Sequence, residues 1–282
     1  MSEKKSWEFS FSNLEKALSY FSVNGFVGFV DLLQPNDLEN LEQAFKETVS
    51  AGKLKIGVDE IIAFNDVIFL HETFKQYATY SRILTFVDRI LKGPFELQHS
   101  KLNCKPIRDE GKGEIHWHQD YPFFPHTNFD LLAVGIHLDD ENERSGCLEF
   151  ILGSHKRGPL THCKEKEFAY ECTDVISLKD EPPVTITGKK GLVTIHHCLT
   201  LHRSAPKRES PNRRLLVYQY RACDAIQLAG VIWRCTGYPI RPLEGIRMAR
   251  FPNGFNVEIR GSSGRLFDKF GKLAPDKEQT NY

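Results

Sequence analysis

Leu131-Leu-Ala-Val-Gly-Ile-His-Leu138 is a short apolar run that ends at once in the turn-forming cluster Asp139-Asp-Glu-Asn-Glu143. The same pattern recurs in Gly146-Cys-Leu-Glu-Phe-Ile151, Val184-Thr-Ile-Thr187, Gly191-Leu-Val-Thr-Ile195 and Arg214-Leu-Leu-Val-Tyr-Gln-Tyr220. Each is β-prone and bounded by Asp/Glu/Asn/Gly or Pro/Gly clusters. Many short strands punctuated in this way build a sandwich or barrel, with helices packed outside it. The expected fold class is therefore mainly β with flanking helices.

The first hundred residues read differently. Phe11, Leu14, Ala17, Leu18 and Phe21 follow helical three-and-four spacing over Ser10 to Phe21, and Asn24-Gly25 ends the pattern. Phe26-Val-Gly-Phe-Val30 is a short β-favouring run. Pro35-Asn-Asp-Leu38 reads as a helix start leading into Leu41, Ala44, Phe45 and Val49, and a further helix is expected over Glu72 to Leu91. The tail after Ile240 is rich in Arg, Gly and Pro, with one strand candidate, Phe255-Asn-Val-Glu-Ile259. A single domain over residues 1–282 is expected: a helical N-terminal part (about 10–95), a β core (about 97–225) and an irregular C-terminal tail.

Hydrophobic residues make up 40% of the 282 and charged residues 26%, a globular composition. Lys+Arg and Asp+Glu both total 37, so no charge excess points to nucleic acid or to an anionic membrane as partner. Met1-Ser-Glu-Lys-Lys-Ser-Trp lacks the apolar stretch of a signal peptide, and no run reaches the roughly 18 apolar residues of a membrane span, so a cytoplasmic location is expected. Cysteines 104, 147, 163, 172, 198, 223 and 235 are scattered and contain no Cys-x-x-Cys, which favours reduced structural thiols. Nothing in the sequence sets an oligomeric state.

His118-Gln119-Asp120, with His202 far downstream, supplies two imidazoles and one carboxylate, the set that fills one face of a non-heme Fe(II) and leaves the other open. On a strand, residues two apart share a face, so His118 and Asp120 can converge while Gln119 points elsewhere, unless a local bend brings Gln119 into the pocket. Rival sets exist in His116-Trp-His118, a cupin-like His-x-His, and in His196-His197. Arg213 and Ser204 add a guanidinium and a hydroxyl, the groups that hold a carboxylate by charge-assisted bonds. Arg214 competes with Arg213, since strand neighbours face opposite ways.

Three blocks carry a resemblance: Glu114-Ile-His-Trp-His-Gln-Asp-Tyr-Pro-Phe-Phe-Pro125, Ser145-Gly-Cys-Leu-Glu-Phe-Ile-Leu-Gly-Ser-His155, and His196-His-Cys-Leu-Thr-Leu-His-Arg-Ser-Ala205 with Arg213. In this order they resemble the phytanoyl-CoA dioxygenase family, from about Asn24 to Ala222. The resemblance implies a double-stranded β-helix, a cupin-like jelly roll, and an oxygenase that uses Fe(II), 2-oxoglutarate and O₂, with ascorbate as a supporting reductant. It implies that His118, Asp120 and His202 hold the iron and form the catalytic centre. It assigns Arg213 and Ser204 to the distal carboxylate of 2-oxoglutarate, with Gln119 and Lys101 as further co-substrate contacts. The chain departs from some relatives at Ile136, where they carry a Trp beside 2-oxoglutarate. Ile136 is expected to be a pocket wall and His137 a structural residue on the opposite face. Gly153-Ser-His155 also matches the family and reads as a turn with a hydrogen-bonded histidine.

The implied reaction converts 2-oxoglutarate to succinate and CO₂ and hydroxylates an unactivated C–H of a small organic molecule. Related halogenases lack the carboxylate ligand that Asp120 supplies here, which favours hydroxylation. Tyr121, Phe123, Phe124 and Phe129 are candidates for an apolar substrate wall, and Arg221, Arg234, Arg241 and Arg247 for contact with an anionic substrate. Two other classes stand beside this one: a non-catalytic jelly-roll metal or ligand binder, and a cupin-type metalloenzyme using His116 and His118 without 2-oxoglutarate. Arg213 and Ser204 weigh against both.

Overall fold

The computed structural model describes residues 5–54, 62–105, 114–174, 180–208 and 213–259. In chain order its elements are β1 (Glu8–Phe9), α1 (Leu14–Asn24), β2 (Phe26–Phe29), α2 (Pro35–Ser50), β3 (Ile62–Asn65), α3 (Glu72–Tyr77), α4 (Ser81–Leu91), β4 (Phe95–Lys105), β5 (Ile115–His118), β6 (Leu131–His137), β7 (Leu148–Phe150), β8 (Cys163–Lys164), β9 (Glu167–Phe168), β10 (Val184–Thr185), β11 (Val193–His197), β12 (His202–Ser204), β13 (Arg213–Ala222), β14 (Tyr238–Arg241), β15 (Met248–Arg250) and β16 (Asn256–Glu258). The end of the tail lies outside the described residues.

An eight-stranded sheet runs β1-β2-β11-β6-β13-β4-β14, with β3 also on β4, and a four-stranded sheet runs β10-β7-β12-β5. The fold is a jelly roll. Sequence-distant strands become neighbours in it: β5 and β7 flank β12, and β6 lies between β11 and β13. The two sheets share Phe26, Ala133, Leu148, Phe150, Leu215 and Val217 as a buried cluster, and Phe26 stacks on Phe150 at 4.6 Å.

The helices cover the outer face of the large sheet. Ala17 and Phe21 of α1, Leu41, Ala44 and Phe45 of α2, Phe74 and Tyr77 of α3, and Ile83, Phe86 and Val87 of α4 pack against Leu132, Val134, Ile136, Leu216, Tyr218 and Tyr220. Ile136 is thus a helix-side residue and not a pocket wall, while Ala133, Gly135 and His137 face the concave side. The expected faces of Ile136 and His137 are exchanged. The expected helix over Glu72 to Leu91 is two helices. Tyr80 at their junction has an extended backbone (φ −63°, ψ 120°). The break lets the stacked rings of Tyr77 and Tyr80 both donate to Asp37, at 2.8 and 2.5 Å.

On the concave face, residues of β4, β13, β6 and β11 line up in rows across the sheet: His99, Gln219, Ala133 and His196; then Lys101, Val217, Gly135 and Thr194; then Asn103, Leu215 and His137; then Lys105 and Arg213. These rows form one wall of the site.

Candidate metal centre

Pairing of β12 with β5 sets His202 directly opposite His118. β5 ends at His118, and the chain turns into a short 3-10 helix at Tyr121–Phe123, which carries Asp120 back toward the two imidazoles. Ligand atoms of His118, Asp120 and His202 all lie within 4.8 Å of one another. Asp120 Oδ1 is 3.9 Å from His118 Nε2 and 3.8 Å from His202 Nε2. Each imidazole is oriented from behind: Nδ1 of His118 meets the His116 carbonyl at 2.8 Å, and Nδ1 of His202 meets the Thr200 carbonyl at 2.9 Å. With Nδ1–H donating to those carbonyls, both Nε2 lone pairs point to the centre, as metal ligation requires.

Electrostatics favours the ligating forms. Burial pushes His118 down to about 4 and holds His202 well below the usual histidine value, so both imidazoles are neutral. Burial opposes the charge of Asp120, but the hydrogen bond from His196 Nε2 at 3.2 Å, with His202, His196 and Lys101 nearby, keeps its carboxyl well below the ordinary range. His196 therefore grips Oδ2 and leaves Oδ1 facing the histidines. Two neutral imidazoles, one ionised carboxylate and fixed tautomers fit a divalent iron.

The centre opens on a cavity lined by Lys101, Asn103, Gly135, Thr194, Ser204 and Arg213, among others. Arg213 is 1% exposed; its Nε donates to Glu141 Oε1 at 2.9 Å, and its Nη2 has no hydrogen-bond partner among the described residues. His137 Nδ1 meets the same Glu141 oxygen at 2.6 Å, and its Nε2 lies 3.2 Å from Thr194 Oγ1. Burial opposes the charge of Glu141, yet Arg213 and His137 bring it down to about 2. Ser204 donates its one hydroxyl hydrogen to the Gly146 carbonyl at 3.0 Å, so that hydroxyl must turn to serve a carboxylate. Gly135 keeps the cavity open: a Cβ there would lie 3.0 Å from Thr194 Oγ1 and 3.1 Å from a Leu215 methyl.

Other candidates are placed elsewhere. Arg214 leaves the cavity to bind Asp139 at 2.6 Å and Glu42 at 2.9 Å. Gln119 is fully buried but turned away: its Nε2 donates to the Gly158 and Leu199 carbonyls at 3.0 and 2.8 Å, and its Oε1 accepts from Leu160 N at 2.8 Å. It supports the loop behind the centre and is absent from the cavity lining, contrary to the expected co-substrate contact. The His116 side chain is 63% exposed beside Glu114 and Glu171, so the cupin-like pair does not assemble. His197 accepts from Leu199 N and faces His155. Arg221 and Arg247 bind buried Glu96, Arg241 binds Asp88, and Arg234 lies over Phe69; none lines the cavity. Phe124 packs into an apolar cluster with Tyr121, Phe123 and Phe129 beside it, and the Phe123 ring lies 5.5 Å from that of His118. Glu141, Thr194, Asn103, His99 and Gln219 were not singled out by sequence. Counting alternate residues from Arg213 along β13 reaches Gln219, the one signal that pointed to it.

The sequence profile of the phytanoyl-CoA dioxygenase family matches residues 21–215, a span that includes His118, Asp120, His202, Ser204 and Arg213. The chain belongs to that family. A probable alpha-ketoglutarate-dependent hypophosphite dioxygenase of Stutzerimonas stutzeri is 35% identical over 154 residues, 53% of each chain. An ectoine dioxygenase of Halomonas elongata is 25% identical over 233 residues, 73% of this chain and 69% of the other. The chain spans about half the length of several of the curated relatives it matches. The solved non-heme alpha ketoglutarate dependent carbocyclase SnoK from nogalamycin biosynthesis superposes with a TM-score of 0.67 at 21% identity, over 84% of this chain and 96% of that one. EctD from S. alaskensis, solved with 2-oxoglutarate and 5-hydroxyectoine, gives 0.61 at 18%, over 76% and 78%. These likenesses agree with the jelly roll. Among the described residues, no helix is long and apolar enough to cross a membrane.

Proposed function

We propose that this protein is an Fe(II)- and 2-oxoglutarate-dependent dioxygenase that hydroxylates a small organic molecule, releasing succinate and CO₂. The observation that carries the reading is the joint occupancy of one cavity by the His118, Asp120 and His202 cluster and by a buried Arg213 whose Nη2 lacks a partner. A buried guanidinium with an unspent donor has a strong drive to take up an anion. A dicarboxylate whose far end meets Arg213, with the Ser204 hydroxyl turned to it from the Gly146 carbonyl, and whose near end faces the three ligands, satisfies both. The names of relatives that use alpha-ketoglutarate support the same choice.

His118, Asp120 and His202 would hold Fe(II), which supplies the activation of O₂ that side chains cannot. The chain's own contribution is geometry. The His116 and Thr200 carbonyls fix the imidazole tautomers, His196 orients Asp120, and Glu141 with His137 holds Arg213 at the cavity wall. Gly135 and Ala133 leave room for the bound molecule. Asp120 fills the ligand position that a halide would need, which supports hydroxylation. Lys101 lines the same cavity two rows from Arg213, between the co-substrate end and the row of His99 and Gln219. The seven unpaired cysteines suit the reducing cytoplasm, where ascorbate would act as supporting reductant.

Anaerobic titration of 2-oxoglutarate into the Fe(II)-loaded protein, followed by the charge-transfer absorption of the complex, tests the reading. Saturable binding is expected, weakened at least tenfold in Arg213→Ala and accompanied by no absorption change in His202→Ala. Binding that is indifferent to Arg213 overturns the anchor, and no binding at all overturns the co-substrate.

A further inference from the structure

The row farthest from Arg213 on the concave wall, His99, Gln219, Ala133 and His196, has an unusual property. Each of its three polar members carries a buried nitrogen without a hydrogen-bond partner: both ring nitrogens of His99, Nε2 of Gln219 and Nδ1 of His196. His99 and Gln219 are each 1% exposed. Buried polar atoms without partners cost about 1–3 kcal/mol apiece, so a group of them on one wall marks a place where a ligand supplies the missing partners.

The row borders the metal centre on the side away from the proposed co-substrate. His196 touches Asp120 and its ring lies 4.6 Å from that of His202. Gln219 lines the same cavity as the three ligands, and the small Ala133 leaves space between His196 and Gln219. Behind Gln219, outside the cavity lining, the His99 ring lies 4.6 Å from Trp233 and 5.3 Å from Phe124, which form an aromatic backing. Gln219 is six residues from Arg213 along β13, roughly 20 Å at the usual rise. The Arg213 side chain and the four C–C bonds of 2-oxoglutarate, about 1.5 Å each, share that span, so the near end of a molecule anchored at Arg213 comes up to the metal cluster beside this row.

The free groups include both donors and acceptors: with its Nε2 donating to Asp120, neutral His196 offers only a lone pair at Nδ1. Gln219 Nε2 offers N–H bonds, and burial keeps His99 neutral, with one ring N–H to give. The neighbouring row adds Lys101, the one Lys or Arg on the cavity wall that makes no ion pair among the described residues; Arg203 is held by Glu149 and Glu114, and Arg213 by Glu141.

We infer that Gln219, backed by His99 and with Lys101 supplying positive charge, forms the substrate subsite, and that the substrate carries a compact oxyanion group of the carboxylate, phosphonate or phosphinate type. The inference rests on the proposed function, in that it assigns the Arg213 end of the cavity to 2-oxoglutarate. The Gln219 N–H groups on the wall and the Lys101 ammonium beside them favour an anion, and the closed row behind Gln219 favours a small one.

The test is anaerobic calorimetry on the Fe(II)-loaded protein at saturating 2-oxoglutarate, with hypophosphite, methylphosphonate and acetate as probes and acetamide as the neutral comparator. At least one oxyanion is expected to bind, acetamide at least tenfold more weakly than acetate where acetate binds, and the three oxyanions separate phosphorus from carbon head groups. Gln219→Leu and His99→Phe should each weaken oxyanion binding about tenfold or more. The near-isosteric Gln219→Glu should abolish it by repulsion, and the 2-oxoglutarate affinity should stay within about threefold in all three variants. Failure of every oxyanion to bind protein that does bind 2-oxoglutarate overturns the subsite alone. Oxyanion binding unchanged in the variants, or a parallel loss of 2-oxoglutarate affinity, also overturns it. Oxyanion binding that depends on Gln219 in protein that does not take 2-oxoglutarate supports the subsite and overturns the proposed co-substrate.

Discussion

Glu141→Gln isolates the charge that holds Arg213. Glu141 and Arg213 are 5% and 1% exposed and meet at 2.9 Å, and His137 shares the same carboxylate oxygen. One pKa unit corresponds to about 1.4 kcal/mol, so holding Glu141 at about 2 in place of 4.5 is worth about 3 kcal/mol. Breaking a buried ion pair by removing one partner costs a similar 3–5 kcal/mol. The folded-state pKa is depressed, so this contribution is fully present above the usual glutamate value and is lost as pH falls from there toward 2. Urea unfolding at pH 7 should find the ligand-free variant about 3 kcal/mol less stable than the parent protein, with the difference shrinking as pH drops below 4.5. Saturating 2-oxoglutarate should recover part of the loss, because its carboxylate replaces the missing negative charge beside Arg213. The ligand-induced rise in stability must then be larger in the variant than in the parent. A loss below about 1 kcal/mol, or a smaller ligand-induced rise in the variant, would refute the reasoning.

Gly135→Val should cost about 1–3 kcal/mol from overpacking against Thr194 and Leu215, and should weaken 2-oxoglutarate binding at least tenfold by filling the cavity; equilibrium binding checks it, and unchanged affinity counts against the placement. Gln119→Leu should destabilise the fold by about 3 kcal/mol, since two carbonyls and one N–H lose their partner, while the affinity of the folded protein for 2-oxoglutarate stays within about threefold. Selective loss of affinity with stability intact would restore Gln119 to the co-substrate pocket.

The turn-bounded strands were legible because their punctuation is local. β4 is not legible in this way, although it is the long strand between β13 and β14. Leu97 faces the helices, an irregularity in register follows it, and Leu102 and Cys104 then return to that side, so the alternation breaks mid-strand. Its inner positions, His99, Lys101, Asn103 and Lys105, are polar and yet face inward, which conceals a strand from any reading by hydrophobicity. β6 is apolar on both faces, so nothing local distinguished Ile136 from His137 as the inward residue.

The proposed metal ligands stand out by residue type and motif order, and the structure brings them within 4.8 Å of one another, which spacing alone does not give. His116 and His118 are equivalent on paper; strand pairing with His202 separates them. Arg213 and Arg214 are neighbours in sequence; acids at 139 and 42 hold Arg214 outside, while Glu141 holds Arg213 at the cavity. The part played by Glu141 depends on a contact across 72 residues, which no local pattern encodes.

Succinate formed from 2-oxoglutarate by the Fe(II)-loaded protein after O₂ is admitted tests the central claim most directly. The account predicts oxygen-dependent succinate in the parent protein, even if slow without substrate, and its loss in His118→Ala, Asp120→Ala and His202→Ala. A folded, iron-loaded protein that binds 2-oxoglutarate yet forms no succinate, with or without the oxyanion probes, would contradict it, as would succinate formation that persists in the three variants.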